Sequence, residues 1–250
     1  MSSLTRLETV DGVSVITLDD GKVNALSPAM LAEIQSRLDD AEAAGLPVLL
    51  TGRAQTLSAG FDLRTPPEGW PGMLVGGARL AERLLSYPLP TVVACNGNAI
   101  AMGGFTLLSA DHRVGAEGDF RIGLNEVAIG MTAPWFAIAI ARYRLTRTAY
   151  DHCLVTGELL RPQAARDAGF LDAVVAPDEL HSTALAAAQG LARSEEHTSE
   201  LQSAALAAAQ GLAGVDFDAH AATKLRLRAD VLAGIRDGIE RIEQREQPEW

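Results

Sequence analysis

Residues Thr91–Phe105 read TVVACNGNAIAMGGF, and this stretch gives the clearest indication of the fold. Its first five residues form a continuous apolar run, which is typical of a strand buried on both faces of a sheet. A tight turn of small residues follows, and the pattern then predicts a helix through Leu108. Gly103 and Gly104 lie at the strand-to-helix junction, where the lack of side chains would let a ligand approach the backbone closely.

The same apolar signature recurs at Val48–Thr51 and at Ala173–Val175. Helical patterns lie between these runs, for example at Pro162–Ala168. Strand, helix and strand at this spacing predict βαβ units with right-handed crossovers, and therefore an α/β fold. A hairpin is predicted within Leu4–Leu18, turning at an Asp-Gly pair. Beyond about residue 176 the pattern is helical throughout.

The composition excludes several classes of protein. The chain has 250 residues, 48% of them hydrophobic, and a formal net charge of −11. A hydrophobic fraction this high argues against a disordered chain. The negative charge argues against binding to nucleic acid or to an anionic membrane. Two cysteines and five histidines without metal-ligand spacing predict neither a disulfide scaffold nor a metal site. With no signal peptide and no apolar stretch of bilayer length, we expect a cytoplasmic protein.

One segment near the C-terminus is anomalous. The nonapeptide at 184–192 recurs letter for letter at 205–213, an offset of 21 residues, and the string at 193–203 between the copies differs in composition from its surroundings. That string resembles an in-frame translation of a sequencing adaptor. We therefore interpret 193–203 and one copy of the repeat as an insertion artefact; the alternative is a natural tandem duplication in an extended helix. We assign no function to His197, and uninterrupted sequencing reads through both copies would contradict the artefact.

A second junction resembles the one at Gly103. The run ending at Thr51 leads through a loop to Ser58-Ala-Gly60, and Phe61-Asp62-Leu63 is predicted to begin a helix. Two helix starts at the ends of neighbouring parallel strands can aim backbone N–H groups at one oxygen atom, the geometry of an oxyanion hole. The alternative for either junction is ordinary strand-to-helix packing. The fingerprints of dinucleotide and P-loop sites are absent from the sequence.

A single carboxylate stands in apolar surroundings at Glu126, between Leu124 and the run Val127–Ile129. Burial disfavours the charged form of a carboxylate and raises its pKa, which suits proton transfer near neutral pH. The alternative roles are an ion pair with Arg121 or a cap on the following helix. Glu117 and Asp119 are expected in a solvent-exposed turn.

Together these segments resemble the crotonase superfamily, the enoyl-CoA hydratase/isomerase group. The resemblance runs from Lys22-Val-Asn-Ala-Leu26 through Ser58–Leu63 and Asn96–Gly104 to Asn125-Glu126, and ends in Ala168–Val175. It covers about residues 5–180. It implies a spiral of ββα turns at 1–176 that carries an acyl-CoA site, and a C-terminal helical region at 177–250 used in trimerisation.

The resemblance also implies roles for individual residues. The Phe61 N–H is implied as one oxyanion donor, and the second falls on Met102, or on Gly103 if the alignment slips by one residue. Glu126 is implied as the acid/base. We expect the substrate to be an acyl-CoA thioester with no separate cofactor, since coenzyme A is part of the substrate, and the assembly to be a homotrimer or hexamer. We expect substrate binding by residues of the neighbouring motifs: Lys22, Ala25, Ala59, Asp62, Leu63 and Trp70.

The sequence departs from the family at one position. Hydratases of this family carry a first glutamate on the helix after the Gly-Gly turn, and here that position holds Phe105, followed by Thr106. One remaining glutamate is the pattern of the family's double-bond isomerases, so we predict an isomerase-like enzyme. A generic hydratase and a non-catalytic acyl-CoA binder are the alternatives. A serine hydrolase using Ser58 with a histidine is less favoured, because the Gly-x-Ser-x-Gly elbow is absent.

Aromatic residues near these motifs are candidate pocket walls. Trp70 lies in the breaker-rich loop Thr65–Gly72, which is predicted either as a surface connection or as a flap over the acyl chain. Trp135 and Phe136 either line the same pocket or belong to the core. An apolar stripe from Leu225 to Ile242 is predicted to pack on the domain itself or on a second subunit.

Overall fold

The computed structural model describes residues 3–192 and 217–244. The proposed insertion and the second copy of the repeat therefore lie outside the described residues. The strands are β1 (Thr5–Val10), β2 (Val13–Leu18), β3 (Val48–Gly52), β4 (Gln55–Ser58), β5 (Thr91–Cys95), β6 (Gly97–Ile100), β7 (His112–Ala116), β8 (Ile122–Gly123), β9 (Leu159–Leu160) and β10 (Ala173–Val175). The helices are α1 (Pro28–Ala43), α2 (Trp70–Ser86), α3 (Met102–Leu108), α4 (Trp135–Arg144), α5 (Arg147–Thr156), α6 (Pro162–Ala168), α7 (Leu180–Ala192), α8 (Phe217–Leu227) and α9 (Ala229–Glu243).

The strands form two sheets that the chain visits alternately. The larger sheet has the order β1-β2-β3-β5-β7-β10, and the smaller has the order β4-β6-β8-β9. Three consecutive segments each place their first strand in the larger sheet and their second in the smaller one, and a helix follows each pair. From β2 to β10 the larger sheet is parallel. This repetition is the ββα spiral of the crotonase fold, which confirms the predicted fold class.

The parallel strands are covered on both faces, which explains their unbroken apolar sequences. On one face, side chains such as Leu50 and Val93 join the main core formed with α1, α2 and the later helices. On the opposite face, Leu49 and Val92 pack against α7. Among the described residues, no helix has both the length and the apolar character needed to cross a bilayer.

The start of α1 shows how local sequence fixes an element. Ser27 accepts a hydrogen bond from the N–H of Met30, and Pro28 occupies the first turn, where its missing N–H is not needed. The predicted hairpin is observed as β1 and β2, and the helix predicted at Pro162–Ala168 is observed as α6 with the same bounds.

Three local predictions were wrong. Phe61–Leu63 does not begin a helix: Phe61 forms an isolated parallel bridge with Leu26, and α2 begins only at Trp70. The loop before Ser58 and the turn after Cys95 contain β4 and β6, which pair with each other. These short strands escaped prediction because their residues are small or polar and are held by pairing across the chain, not by an apolar pattern.

The C-terminal stripe is divided between two helices, α8 and α9. Its α9 members Val231, Leu232, Ile235, Ile239 and Ile242 are buried in the main core, which confirms packing on the domain itself. Leu225 and Leu227 of α8 are exposed. The predicted boundary near residue 176 stays a prediction.

Candidate active site

A mostly apolar cavity of about 130 Å³ lies where the β4–α2 loop, the β6–α3 junction and the β8–α4 segment meet. The sequence-predicted residues Ala59, Phe61, Leu63, Trp70 and Glu126 all line it. The complete lining is Ala59, Phe61, Leu63, Trp70, Leu74, Ala101, Phe105, Asn125, Glu126, Ile129, Met131, Thr132, Pro134 and Phe136.

Hydrogen bonds to the Lys22–Leu26 segment hold the loop after β4 in place. The Ala59 N–H donates to the Val23 carbonyl at 3.0 Å, and the Leu26 N–H donates to the Gly60 carbonyl at 2.8 Å. The buried Ser58 hydroxyl donates to the Asn24 carbonyl at 2.7 Å and accepts from the Gly60 N–H at 3.1 Å. Three of these hydrogen bonds join the residues before Phe61 to the Lys22–Leu26 segment, and the fourth lies within the loop.

Asn24 organises the other side of this contact. Its backbone has a φ of +52°, and its side-chain amide is wholly buried and donates to the Leu18 carbonyl at 3.0 Å and the Leu57 carbonyl at 3.1 Å. Asn tolerates this left-handed conformation better than most residues. It joins the end of β2 to the end of β4, and so fixes the position of the loop that follows.

The two chain segments that carry the predicted oxyanion donors pass close to each other. A methyl group placed on Gly60 would lie 3.3 Å from the Met102 nitrogen and 2.9 Å from the Ala101 Cβ. Gly60 also has a φ of +92°, which a side chain would oppose. Only glycine at position 60 therefore permits this crossing, which brings the Phe61 loop against the start of α3.

The N–H groups at this crossing are not used elsewhere in the described residues. Phe61 N–H has no hydrogen-bond partner there, and the N–H groups of Met102 and Gly103 belong to the first turn of α3, which no side chain caps. The preceding Ala101 has a φ of +51°, a conformation that costs energy for a residue with a side chain. Strain of this kind is common beside functional sites.

Met102 and Gly103 have different surroundings. A methyl group on Gly103 would lie 2.5 Å from the Ser58 carbonyl oxygen, so the Gly103 α-carbon packs against the backbone of β4. The Met102 nitrogen, in contrast, is near Gly60 and so beside the residue that precedes Phe61.

Glu126 is the one carboxylate among the lining residues. It is 9% exposed, and its Oε2 atom has no hydrogen-bond partner in the described part of the chain. Burial raises the pKa of this carboxyl to about 7. Neither alternative role is observed: Arg121 pairs with Asp119, and the Glu126 side chain caps no helix.

Phe105 occupies the position of the missing first glutamate and belongs to an aromatic wall of the cavity. Its ring meets the ring of Phe136 edge to face, with centroids 6.4 Å apart, and both residues are essentially buried. Trp135 does not line the cavity: it is 50% exposed on α4, and the Arg241 guanidinium lies 5.2 Å from its ring centroid. Trp70 does line it, and its indole N–H donates to the Thr65 carbonyl at 2.9 Å.

Three predicted substrate-binding residues lie outside the lining. Lys22 is exposed, and its carbonyl accepts a hydrogen bond from Arg53. The Ala25 N–H donates to the Asp20 carboxylate. The Asp62 carboxylate pairs with Arg64 at 2.9 Å, which, with burial opposing, holds its pKa below the usual range. The prediction that these three residues bind substrate therefore concerns parts of the substrate outside the cavity, and it stays a prediction.

Sequence reasoning missed several lining residues, notably Leu74, Ile129, Met131 and Pro134. Each lies in an apolar or turn-forming stretch that reads equally well as core or as a helix start. No local signal in the sequence separates a side chain that faces a cavity from one that faces the core.

Comparisons with known proteins agree with this architecture. The family model described as "Enoyl-CoA hydratase/isomerase" matches residues 8–250. A solved enoyl-CoA hydratase/isomerase family protein from Pseudomonas syringae has a TM-score of 0.84 and 38% identity over 96% of this chain and 97% of its own. A solved enoyl-CoA isomerase from Mycobacterium tuberculosis has a TM-score of 0.83 and 42% identity, covering 98% of this chain and 99% of its own. Human mitochondrial enoyl-CoA delta isomerase 1 is 31% identical over 185 residues, which are 70% of this chain and 61% of the human protein. The spiral fold, the paired junctions around the cavity and these matches together place the chain in the enoyl-CoA hydratase/isomerase family.

Proposed function

We propose that this protein is an enoyl-CoA isomerase, which moves a double bond along the acyl chain of a coenzyme A thioester with Glu126 as its single acid/base. The observation that carries the proposal is the isolation of Glu126: it is the sole carboxylate in the cavity lining, its Oε2 atom has no partner among the described residues, and burial raises its pKa to about 7. A base of that pKa can both accept and return a proton near neutral pH.

The proposed reaction begins with a 3-enoyl thioester in the cavity. The Glu126 carboxylate removes a proton from C2, and the electron pair of that C–H bond shifts toward the thioester oxygen to give a dienolate. The protonated Glu126 then returns the same proton to C4, and the electrons move back to leave a double bond between C2 and C3. The enzyme ends in its starting ionisation state, and the reaction consumes no water and no redox partner.

The negative charge on the thioester oxygen requires preorganised donors, and we assign these to the N–H groups of Phe61 and Met102. The close crossing of Gly60 and Met102 supports Met102 as the second donor. The nearest neighbours of Gly103 are atoms of Ser58, so no comparable approach to Gly60 supports the slipped alternative. One such donor typically contributes about 3–4 kcal/mol to a transition state of this kind.

The cavity disfavours the other enzymatic readings. Hydration needs a water molecule held between two carboxylates, and the position of the family's first glutamate is filled by Phe105, whose ring packs on Phe136. A serine hydrolase needs a free nucleophile, whereas the Ser58 hydroxyl is already bonded to Asn24 and Gly60.

The Glu126→Gln variant tests the proposal. We expect it to lower the turnover of 3-hexenoyl-CoA to 2-hexenoyl-CoA by roughly 10²–10⁴-fold, the contribution usual for a positioned acid/base. Binding of saturated hexanoyl-CoA, measured by calorimetry, should change little because Gln keeps the size of the side chain. Glu117→Gln, at an exposed carboxylate, is the matched control and should behave as wild type.

Two results would contradict the isomerase assignment. Formation of 3-hydroxyhexanoyl-CoA from 2-hexenoyl-CoA as the dominant reaction would make the protein a hydratase. Tight acyl-CoA binding by the wild type, with no product and no exchange of the C2 proton, would make it a non-catalytic binder.

We also propose that the active form is a homotrimer or hexamer that needs no cofactor beyond the coenzyme A of its substrate. The exposed Leu225 and Leu227 of α8 provide apolar surface for contact between subunits. Sedimentation analysis tests the assembly, and a monomer at assay concentration would contradict it.

A further inference from the structure

A close helix contact lies directly behind the aromatic wall of the cavity. Helix α9 approaches α4 at Gly238, where an added methyl group would lie 2.6 Å from the Phe136 nitrogen and 3.0 Å from its Cβ. Carbon atoms do not normally pack at such distances, so any larger residue at 238 must push the α4 backbone away. The ring of Phe136 lines the cavity from the same residue whose backbone meets α9.

The residues around Phe136 leave little space into which its side chain could move. Its ring already contacts Phe105, which is 1% exposed and held within α3. Protein interiors are close-packed and transmit shifts of this kind to the nearest free volume. Here the free volume beside the ring is the cavity itself.

We propose that Gly238 sets the acyl-chain length that the cavity accepts. Because glycine has no side chain, Phe136 can lie close to α9, and its ring then takes up less of the cavity. The inference rests on the proposed function, since it concerns the acyl group of that same site. A dry apolar cavity of about 150 Å³ holds a benzene-sized ligand. The cavity of about 130 Å³ therefore has room for about six carbon atoms, and we take a six-carbon acyl chain as its reference length. A residue larger than glycine at 238 would push Phe136 toward the cavity and so reduce the longest acyl chain that fits.

The test compares two glycines of the same helix. Gly238→Ala should lower the ratio of kcat/KM for 3-hexenoyl-CoA to that for 3-butenoyl-CoA by roughly tenfold or more, the usual discrimination for one methylene in an apolar pocket. Gly234→Ala is the control on the same helix, because its methyl would also make a contact under 3 Å, with the Ala139 Cβ at 2.9 Å, but Ala139 lies outside the lining. Its ratio should equal that of wild type.

A second variant keeps the test decisive if Gly238→Ala does not fold. Phe136→Leu removes part of the wall while leaving Gly238 in place, and should raise kcat/KM for 3-octenoyl-CoA relative to 3-hexenoyl-CoA. Equal ratio changes in both glycine variants, an unchanged ratio in folded Gly238→Ala, or no shift in Phe136→Leu would each overturn the inference.

Failure of the proposed function gives a different result. In that case the wild type converts none of the thioesters, and the chain-length limit is read instead from the calorimetric affinities of butanoyl-, hexanoyl- and octanoyl-CoA. The same variants must then shift these affinities in the same directions, or the inference fails independently of catalysis.

Discussion

At the scale of single residues, the decisive feature is a carboxyl group that is 9% exposed and lines an apolar cavity. Glu126 has no partner for Oε2 among the described residues, and burial raises its pKa from 4.5 to about 7. Its ionisation therefore falls near neutral pH, as the proposed proton transfer requires. The same burial makes the ionised form a cost to the fold.

The pH dependence of activity should follow this ionisation. We expect kcat/KM for 3-hexenoyl-CoA to rise with pH and to level off above an apparent pKa near 7, because only the carboxylate can remove the C2 proton. Steady-state rates at pH 5 to 9 provide the measurement. A profile that is flat across this range would show that Glu126 is not the base.

Stability should change with pH in the opposite sense. Because the pKa is higher in the folded state than in the unfolded chain, the folded state keeps its proton between pH 4.5 and about 7 while the unfolded chain loses it. The free energy of unfolding of wild type should thus fall relative to Glu126→Gln by about 3 kcal/mol over this window. Urea unfolding of both proteins at pH 4.5 and pH 8 measures the difference, and parallel pH curves would contradict it.

At the scale of elements, the site depends on a loop that has no regular structure of its own. The β4–α2 loop is held by the Lys22–Leu26 segment through backbone bonds and through the Ser58 hydroxyl. Pairing of β4 with β6 then brings the loop beside the start of α3. The position of the proposed donor at Phe61 is thus set by strand pairing and loop anchoring, whereas only the donor at Met102 lies at a helix N-terminus.

Loosening this loop should reduce the rate more than the affinity. Ser58→Ala leaves the Asn24 carbonyl and the Gly60 N–H without their partner, at a cost of about 1–3 kcal/mol in stability. We expect kcat to fall roughly tenfold or more, since small errors in donor position weaken transition-state binding, while KM changes little.

A second buried serine offers the control. Ser109 also makes a hydrogen bond from its hydroxyl to a carbonyl, that of Phe105, at the end of α3 away from the loop. Ser109→Ala should lose comparable stability but keep kcat. Equal losses of kcat in both variants would show that general destabilisation, and not loop position, explains the effect.

At the scale of the whole molecule, a buried ionic cluster joins the C-terminal helices to the sheet. Asp111, just before β7, lies 2.7 Å from the Lys224 ammonium of α8 and 2.7 Å from the guanidinium of Arg228, between α8 and α9. Burial raises the pKa of Asp111, but the two cations outweigh it and hold that pKa below its usual value. Burial lowers the pKa of Lys224 to about 8.

Breaking this cluster should weaken the packing of the C-terminal helices on the sheet and so lower the free energy of unfolding. Asp111→Asn leaves two buried cations without a counter-charge, and we expect a loss of about 3–5 kcal/mol in the free energy of unfolding. Asp237→Asn removes one partner of an exposed pair with Arg241 and should cost less than about 1 kcal/mol. Chemical denaturation of both variants compares them, and a small loss for Asp111→Asn would contradict the role of the cluster.

The sequence by itself determined the α/β class, the main parallel strands and the identity of the candidate base. These features are local: unbroken apolar runs require burial on both faces, and a lone glutamate among apolar residues has few other uses. The ordered motifs also indicated the family.

Only the tertiary structure decided which residues meet. It placed Met102 rather than Gly103 beside Gly60, put Phe136 on the cavity and Trp135 on the surface, and supplied β4 and β6 where the sequence predicted loops. Such facts depend on contacts between segments distant along the chain, where one residue of register changes which atom faces the substrate. Local patterns of hydrophobicity do not determine which of these distant segments come into contact.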